Sequence, residues 1–201
     1  MPIESIIALG LGAGFFSFVA VSLILTRVDA VTIHLRPQPL SPARFCGTAF
    51  VFLPMALFEE FIFRWVMIGQ LERWLGIIPA FLLSMLAFVV VHRPNGRLSF
   101  VAVLNLAVVG AVLGFVFLHW GLWVATAAHA GWNVAEWGLG YAVSGEKTRQ
   151  FLPAPITRTV RGEPFGPEGH WATTAVLLAV LVVLIVTHSP HVSPSLSKRF
   201  L

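Results

Sequence analysis

The chain has 201 residues, 57% of them hydrophobic and 11% charged, and its 13 basic and 9 acidic side chains leave a formal net charge of +4. Soluble domains average about 25% charged residues, so this composition argues against a soluble globular enzyme, a disordered chain and a nucleic-acid binder. It points to an integral membrane protein, and the single cysteine, Cys46, excludes an intramolecular disulfide framework and any multi-cysteine metal site.

Crossing a bilayer takes about 20 apolar residues in a helix. The sequence predicts six such helices, at about Ser5–Thr26, Phe45–Ile68, Ile77–Val91, Phe100–Leu118, Leu122–Tyr141 and Thr173–Thr187, the last starting as early as Trp171. The first lacks a basic flank before it and a small-residue cleavage site after it, so it is expected to be retained rather than removed. The connection Arg36-Pro37-Gln38-Pro39-Leu40-Ser41-Pro42 cannot continue a helix. Pro94-Asn95-Gly96 is a turn signal, and His119-Trp120-Gly121 is a very tight connection. Residues Ser144–His170 are expected to form a long loop, with Phe165-Gly166-Pro167-Glu168-Gly169 as a plain surface turn rather than a lid. The expected fold is all-α, a polytopic transmembrane bundle of about six helices, in one membrane domain over 1–201 with its functional core at 45–144.

Basic residues in loops set orientation. Arg27, Arg36, Arg44, Arg93, Arg97, Lys147, Arg149, Arg158 and Arg161 follow the first, third and fifth helices; Arg73, Lys198 and Arg199 lie on the other side. Nine against three puts both termini outside the cytoplasm.

The charges inside the spans carry the functional signal. A charge at the bilayer centre costs at least about 2.5–3.5 kcal/mol on insertion scales, yet the second helix holds Glu59, Glu60 and Arg64. Glu60 and Arg64 are four apart and share a face, so they are expected to pair. Glu59 points elsewhere and lacks that partner. His92 ends the third helix, and His129 and Asn133 sit four apart on the fifth. For straight antiparallel helices, convergence requires the second helix to start later than its hydropathy suggests, or the third to dip inward.

This set suits acyl hydrolysis. A carboxylate in an apolar cavity is a good general base, so Glu59 with His92 could hold and deprotonate a water, while His129 and Asn133 could donate to the resulting oxyanion. Glu60 and Arg64 would hold the helix and the first carboxylate in place. Two histidines and a glutamate also match zinc chemistry, so a metal, if bound, would use Glu59, His92 and His129. A His-Glu-x-x-His motif and a Gly-x-Ser-x-Gly elbow are absent, and the only aspartate, Asp29, lies in a loop. Cys46 is expected to be a small apolar filler. Glu136 and Asn105 are expected to pack between helices. Trp120, Trp123, Trp132 and Trp137 read as belt and packing residues. His34, His119, His170, His188 and His191 read as loop-borne or interfacial.

In order, Glu59-Glu60-x-x-x-Arg64, Phe88-x-x-x-His92 and His129-x-x-x-Asn133 resemble the motifs of the CPBP family, also called Abi or type II CAAX prenyl endopeptidases. The resemblance extends over 58–144 and includes Pro94-Asn95-Gly96 and Leu104-Asn105-Leu106, as in small bacterial members. It implies a glutamate-type intramembrane endopeptidase with Glu59, His92, His129 and Asn133 as catalytic residues and Glu60, Arg64 and Phe88 in support. It further implies no cofactor, with zinc as the alternative. Its partners would be the lipid bilayer and a membrane-anchored protein or peptide substrate, with no nucleic acid, in a prokaryotic plasma membrane. Two other readings remain at this stage. One is a non-enzymatic scaffold or bacteriocin-immunity protein, which a degraded motif would favour. The other is a proton or solute transporter, which repeated, broken helix pairs would favour.

Overall fold

The computed structural model of the chain describes residues 1–34, 41–145, 147 and 156–188. They form a helical bundle: α1 (Ile3–Arg27), α2 (Pro42–Glu60), the short α3 (Glu72–Leu75), α4 (Ile77–His92), α5 (Phe100–Trp120), α6 (Leu122–Gly138) and α7 (Trp171–His188). α2 runs directly into a π-helical stretch, Phe61–Ile68. Arg36, Arg149, Lys198, Arg199, His191 and the Arg44 side chain, which the sequence analysis used or named, lie outside the described residues, as does most of the proline-rich connection.

Five helical segments are long and apolar enough to cross a membrane: Ile3–Arg27, Cys46–Leu75, Ile77–Asn95, Phe100–Trp120 and Trp171–His188. The chain is an integral membrane protein. The expected fifth span differs from these. α6 is 17 residues long, carries His129, Asn133 and Glu136, and is buried almost throughout from Val124 to Trp137. It is the central helix, and the others supply its surroundings. That is why its composition is the least apolar of the predicted spans: its polar groups meet protein rather than lipid.

Close backbone approach seats α1 on α6. A Cβ added at Gly14 would run into the Ala128 carbonyl, and one at Gly131 into the Leu11 carbonyl. Gly10 and Gly14 form a small-xxx-small pair of the kind that brings membrane helices together. Beside them Phe18, Val21 and Leu25 of α1 are fully buried against Trp132, Ala135 and Tyr141. α5 packs between α4 and α7. Gly121 joins α5 to α6 with φ of 85°, a left-handed conformation that glycine adopts without steric cost and that makes the tight connection possible.

Two connections hold more order than the sequence suggests. Val31–His34 (β1) pairs antiparallel with Thr157–Val160 (β2), Val31 opposite Val160 and His34 opposite Thr157. Their β-branched residues suit strands, but four residues are too few for a periodic signal. Phe165, Gly166, Pro167 and Glu168 are buried, so this turn is an internal plug instead of the expected surface turn. Cys46 is exposed on α2 and does not fill a core gap.

Candidate active site

Glu59 and Glu60 are the last residues of α2, where it widens into the π-stretch. π-helical turns recur at functional sites. This one is tied to α4 by Ser84, whose Oγ donates to the Phe63 carbonyl at 2.7 Å. Pro54 inside α2 is a second departure from a straight α-helix. These distortions are why depths counted along straight rods do not hold: α2 starts at Pro42, earlier than expected, and its carboxylates still meet His92 and His129.

Glu60 is fully buried, ion-paired to Arg64 and hydrogen-bonded to His129. Arg64 Nε lies 3.1 Å from its Oε2, and His129 Nδ1 donates to its Oε1 at 2.8 Å. The Glu60–Arg64 pair was expected. The bond to His129 was not, and it makes Glu60 the group that orients that ring. Phe88 covers the pair, with the Arg64 guanidinium carbon 4.7 Å from its ring centre, and packs on His92 at 4.4 Å between ring centres.

His92 Nδ1 donates to the Phe88 carbonyl at 2.7 Å. Both imidazoles therefore commit Nδ1 and turn Nε2 inward. Glu59 Oε2 lies 3.9 Å from each Nε2. It is itself sheltered from solvent, and among the described residues nothing donates to it. A carboxylate oxygen and two ring nitrogens at these distances cannot satisfy one another if all three are acceptors. They need a shared donor, and a water molecule, with two hydrogens to give, is the simplest. Among the described residues no group of three or more His, Cys, Asp or Glu side chains is arranged to hold a metal ion.

A cavity of about 110 Å³ opens beside the rings. His92, His129, Asn133 and Glu168 line it together with Ser17, Ser144 and apolar residues of α1, α4, α5, α6 and α7. Asn133 is buried one turn beyond His129, as the four-residue spacing predicts. Glu59 does not line this cavity and keeps 28% of its side chain exposed, so the two rings are shared between Glu59 and the cavity. Glu136 is buried but lies outside the cavity lining, in keeping with its expected packing role. Asn105 is buried and joins elements, as expected. Its Nδ2 donates to the carbonyls of Glu168 at 2.7 Å and His170 at 3.1 Å, and Thr174 Oγ1 donates to its Oδ1 at 2.7 Å.

Glu168 is the site residue that sequence reasoning missed. Burial, then the nearby Glu59 carboxylate, push its carboxyl up to about 8. The only hint in the sequence is Phe165 inside an otherwise polar Gly/Pro turn, an apolar residue that needs somewhere to go.

Together these features define a multi-pass membrane protein whose helices enclose a polar centre of two carboxylates, two imidazoles and an amide. The family model for type II CAAX prenyl endopeptidase, Rce1-like, matches residues 41–135. That is just under half of the chain, and it contains all seven motif residues from Glu59 to Asn133. Over this segment the chain is similar to the Rce1-like family, a family of peptidases. No curated protein and no solved structure matches the chain.

Proposed function

We propose that the protein is an intramembrane endopeptidase that hydrolyses a peptide bond of a membrane-anchored substrate without a metal ion. The observation that carries this is the convergence of Glu59 Oε2 with the Nε2 atoms of His92 and His129, each 3.9 Å away. A water held there gives one proton to Glu59 while His92 accepts its second hydrogen and aims its lone pair at the scissile carbonyl. Attack forms the carbon–oxygen bond and places negative charge on the carbonyl oxygen. Asn133 Nδ2 donates to that oxygen. His129 donates from Nε2, since a ring that gives its Nδ1 hydrogen to the Glu60 carboxylate is well placed to carry a second one. Collapse of the intermediate breaks the carbon–nitrogen bond.

An engineered cavity of about 150 Å³ accommodates benzene. The cavity here suits one apolar side chain next to the cleaved bond, with any longer lipid anchor lying along the outer faces of the helices. The family's description names prenylated CaaX-type substrates; unprenylated membrane-anchored peptides are the other class this site would accept.

Terminal proteomics of membranes from cells carrying wild-type protein or Glu59→Ala tests the reading. New protein termini should be generated by the wild type and lost in the variant. Glu59 is partly exposed and makes no short hydrogen bond, so the variant should fold normally. Cleavage that survives Glu59→Ala would overturn the mechanism, and cleavage abolished by a chelator would replace water activation by a metal held on Glu59, His92 and His129.

A further inference from the structure

The geometry points to Glu168 as a further catalytic residue, a carboxylic acid that donates its proton to the leaving amine nitrogen. This rests on the endopeptidase reading above and adds the step that reading leaves open, since an amine leaves readily only if protonated.

Glu168 has 4% of its surface exposed and lines the same cavity as His92, His129 and Asn133. Its Oε2 is sheltered from solvent and has no hydrogen-bond partner among the described residues. The turn that carries it is fixed on both sides: Asn105 Nδ2 donates to its carbonyl at 2.7 Å, and Thr173 Oγ1 donates to the Pro167 carbonyl at 2.7 Å. A carboxyl held this firmly in an apolar cavity, with no described cation paired to it, is stable as the neutral acid. Burial and the charge of Glu59 raise its proton affinity to about 8, which keeps the proton available near neutral pH. Another buried acid of the centre, Glu60, is occupied by Arg64 and His129.

The step balances. Water's oxygen bonds to the carbonyl carbon as one of its protons passes to Glu59. The carbon–nitrogen bond then breaks, its electron pair leaves with nitrogen, and the Glu168 proton joins that nitrogen to give the free amine. The proton on Glu59 returns to Glu168 through solvent, and the net change is one amide plus water to one acid plus one amine. Glu59 reaches the two rings from outside the cavity and Glu168 lies within it. This division suits a base that meets water and an acid that meets the departing half of the substrate.

The test uses a peptide spanning a bond whose cleavage depends on Glu59, made as the amide and as the depsipeptide with an ester at that bond. An alkoxide leaves with far less need of a proton than an amide nitrogen. Glu168→Gln keeps the shape and neutrality of the acid but cannot transfer a proton. It should lower kcat on the amide by about 10²-fold or more, leave KM nearly unchanged and leave ester cleavage nearly intact. Equal loss on both substrates, or no loss on the amide, would overturn the assignment. Should Glu168→Gln fail to accumulate, Glu168→Asp, which withdraws the acid, must show the same amide-selective loss. If no bond depends on Glu59 in the first place, the endopeptidase reading itself fails, and that outcome is distinct from either result with Glu168.

Discussion

The ion pair beneath the site gives a sharp prediction about unequal costs. Glu60 and Arg64 are 0% and 1% exposed, and their charged atoms lie 3.1 Å apart. Removing one partner of a buried pair leaves an uncompensated charge, which costs about 3–5 kcal/mol. The two members are not equivalent here, because Glu60 also accepts from His129 at 2.8 Å while the carboxylate nearest to Arg64 is Glu60. Glu60→Leu should therefore fall near the top of that range. Arg64→Leu should cost less, because His129 remains beside Glu60 and can carry the compensating proton. Glu60→Leu/Arg64→Leu removes both charges and should cost clearly less than the sum of the single variants. A double-mutant cycle read by equilibrium unfolding in mixed micelles measures these terms. Additive costs, or an Arg64→Leu variant less stable than Glu60→Leu, would refute the view that Glu60 serves two partners.

Three further outcomes are expected. Asn133→Ala should lower kcat by about 10²–10³-fold, the usual cost of losing one oxyanion donor, with KM little changed in steady-state assays. Gly131→Ala forces a methyl into the Leu11 carbonyl and should destabilise the bundle by about 1–3 kcal/mol. Gly12→Ala, which meets nothing within 4 Å, should be neutral in the same unfolding measurement. Glu168 should make stability depend on pH. Its folded-state affinity is raised from 4.5 to about 8, so across that window the folded chain binds a proton that the unfolded chain has released. Stability should then fall as pH rises through the window, and Glu168→Gln should flatten the slope.

What the sequence reveals follows from how strongly each feature departs from a membrane background. Glu59, Glu60, Arg64, His92, His129 and Asn133 were legible because any charged or strongly polar group inside an apolar run needs a partner or a wet cavity. Helical spacing correctly put Glu60 with Arg64 and His129 with Asn133. It could not show that Glu60 turns to His129, because that bond joins α2 to α6 across 69 positions, and spacing reports only neighbours on one helix. Glu168 was hidden for the opposite reason. It stands in a turn among glycines and prolines, where a carboxylate is unremarkable, and only the tertiary fold buries it. The Gly10–Gly14 contact with α6 was readable as a small-residue spacing, but glycine is common in membrane helices, so the spacing alone gives little signal. The strand pair was illegible because each strand is four residues long and its partner lies more than 120 residues away.

The pattern of partnered and unpartnered groups gives the site its direction. Buried polar atoms in a bilayer protein are expected to be satisfied. At the centre of this bundle Arg64 pairs with Glu60, His129 gives Nδ1 to Glu60, and His92 gives Nδ1 to a backbone carbonyl. Those bonds fix the rings and consume the groups that would otherwise neutralise the centre. Among the described residues, Oε2 of Glu59 and Oε2 of Glu168 are sheltered and have no hydrogen-bond donor. Glu59 Oε2 lies 3.9 Å from the Nε2 atoms of His92 and His129, and Glu168 lines the cavity that those two rings also line. A purely structural network would gain stability by satisfying both, for example by placing Arg64 between the two carboxyls. Instead the cation is held by a third acid, Glu60, which also accepts from His129 Nδ1. On the proposed mechanism, this arrangement leaves one base and one acid available to a water molecule and an amide bond.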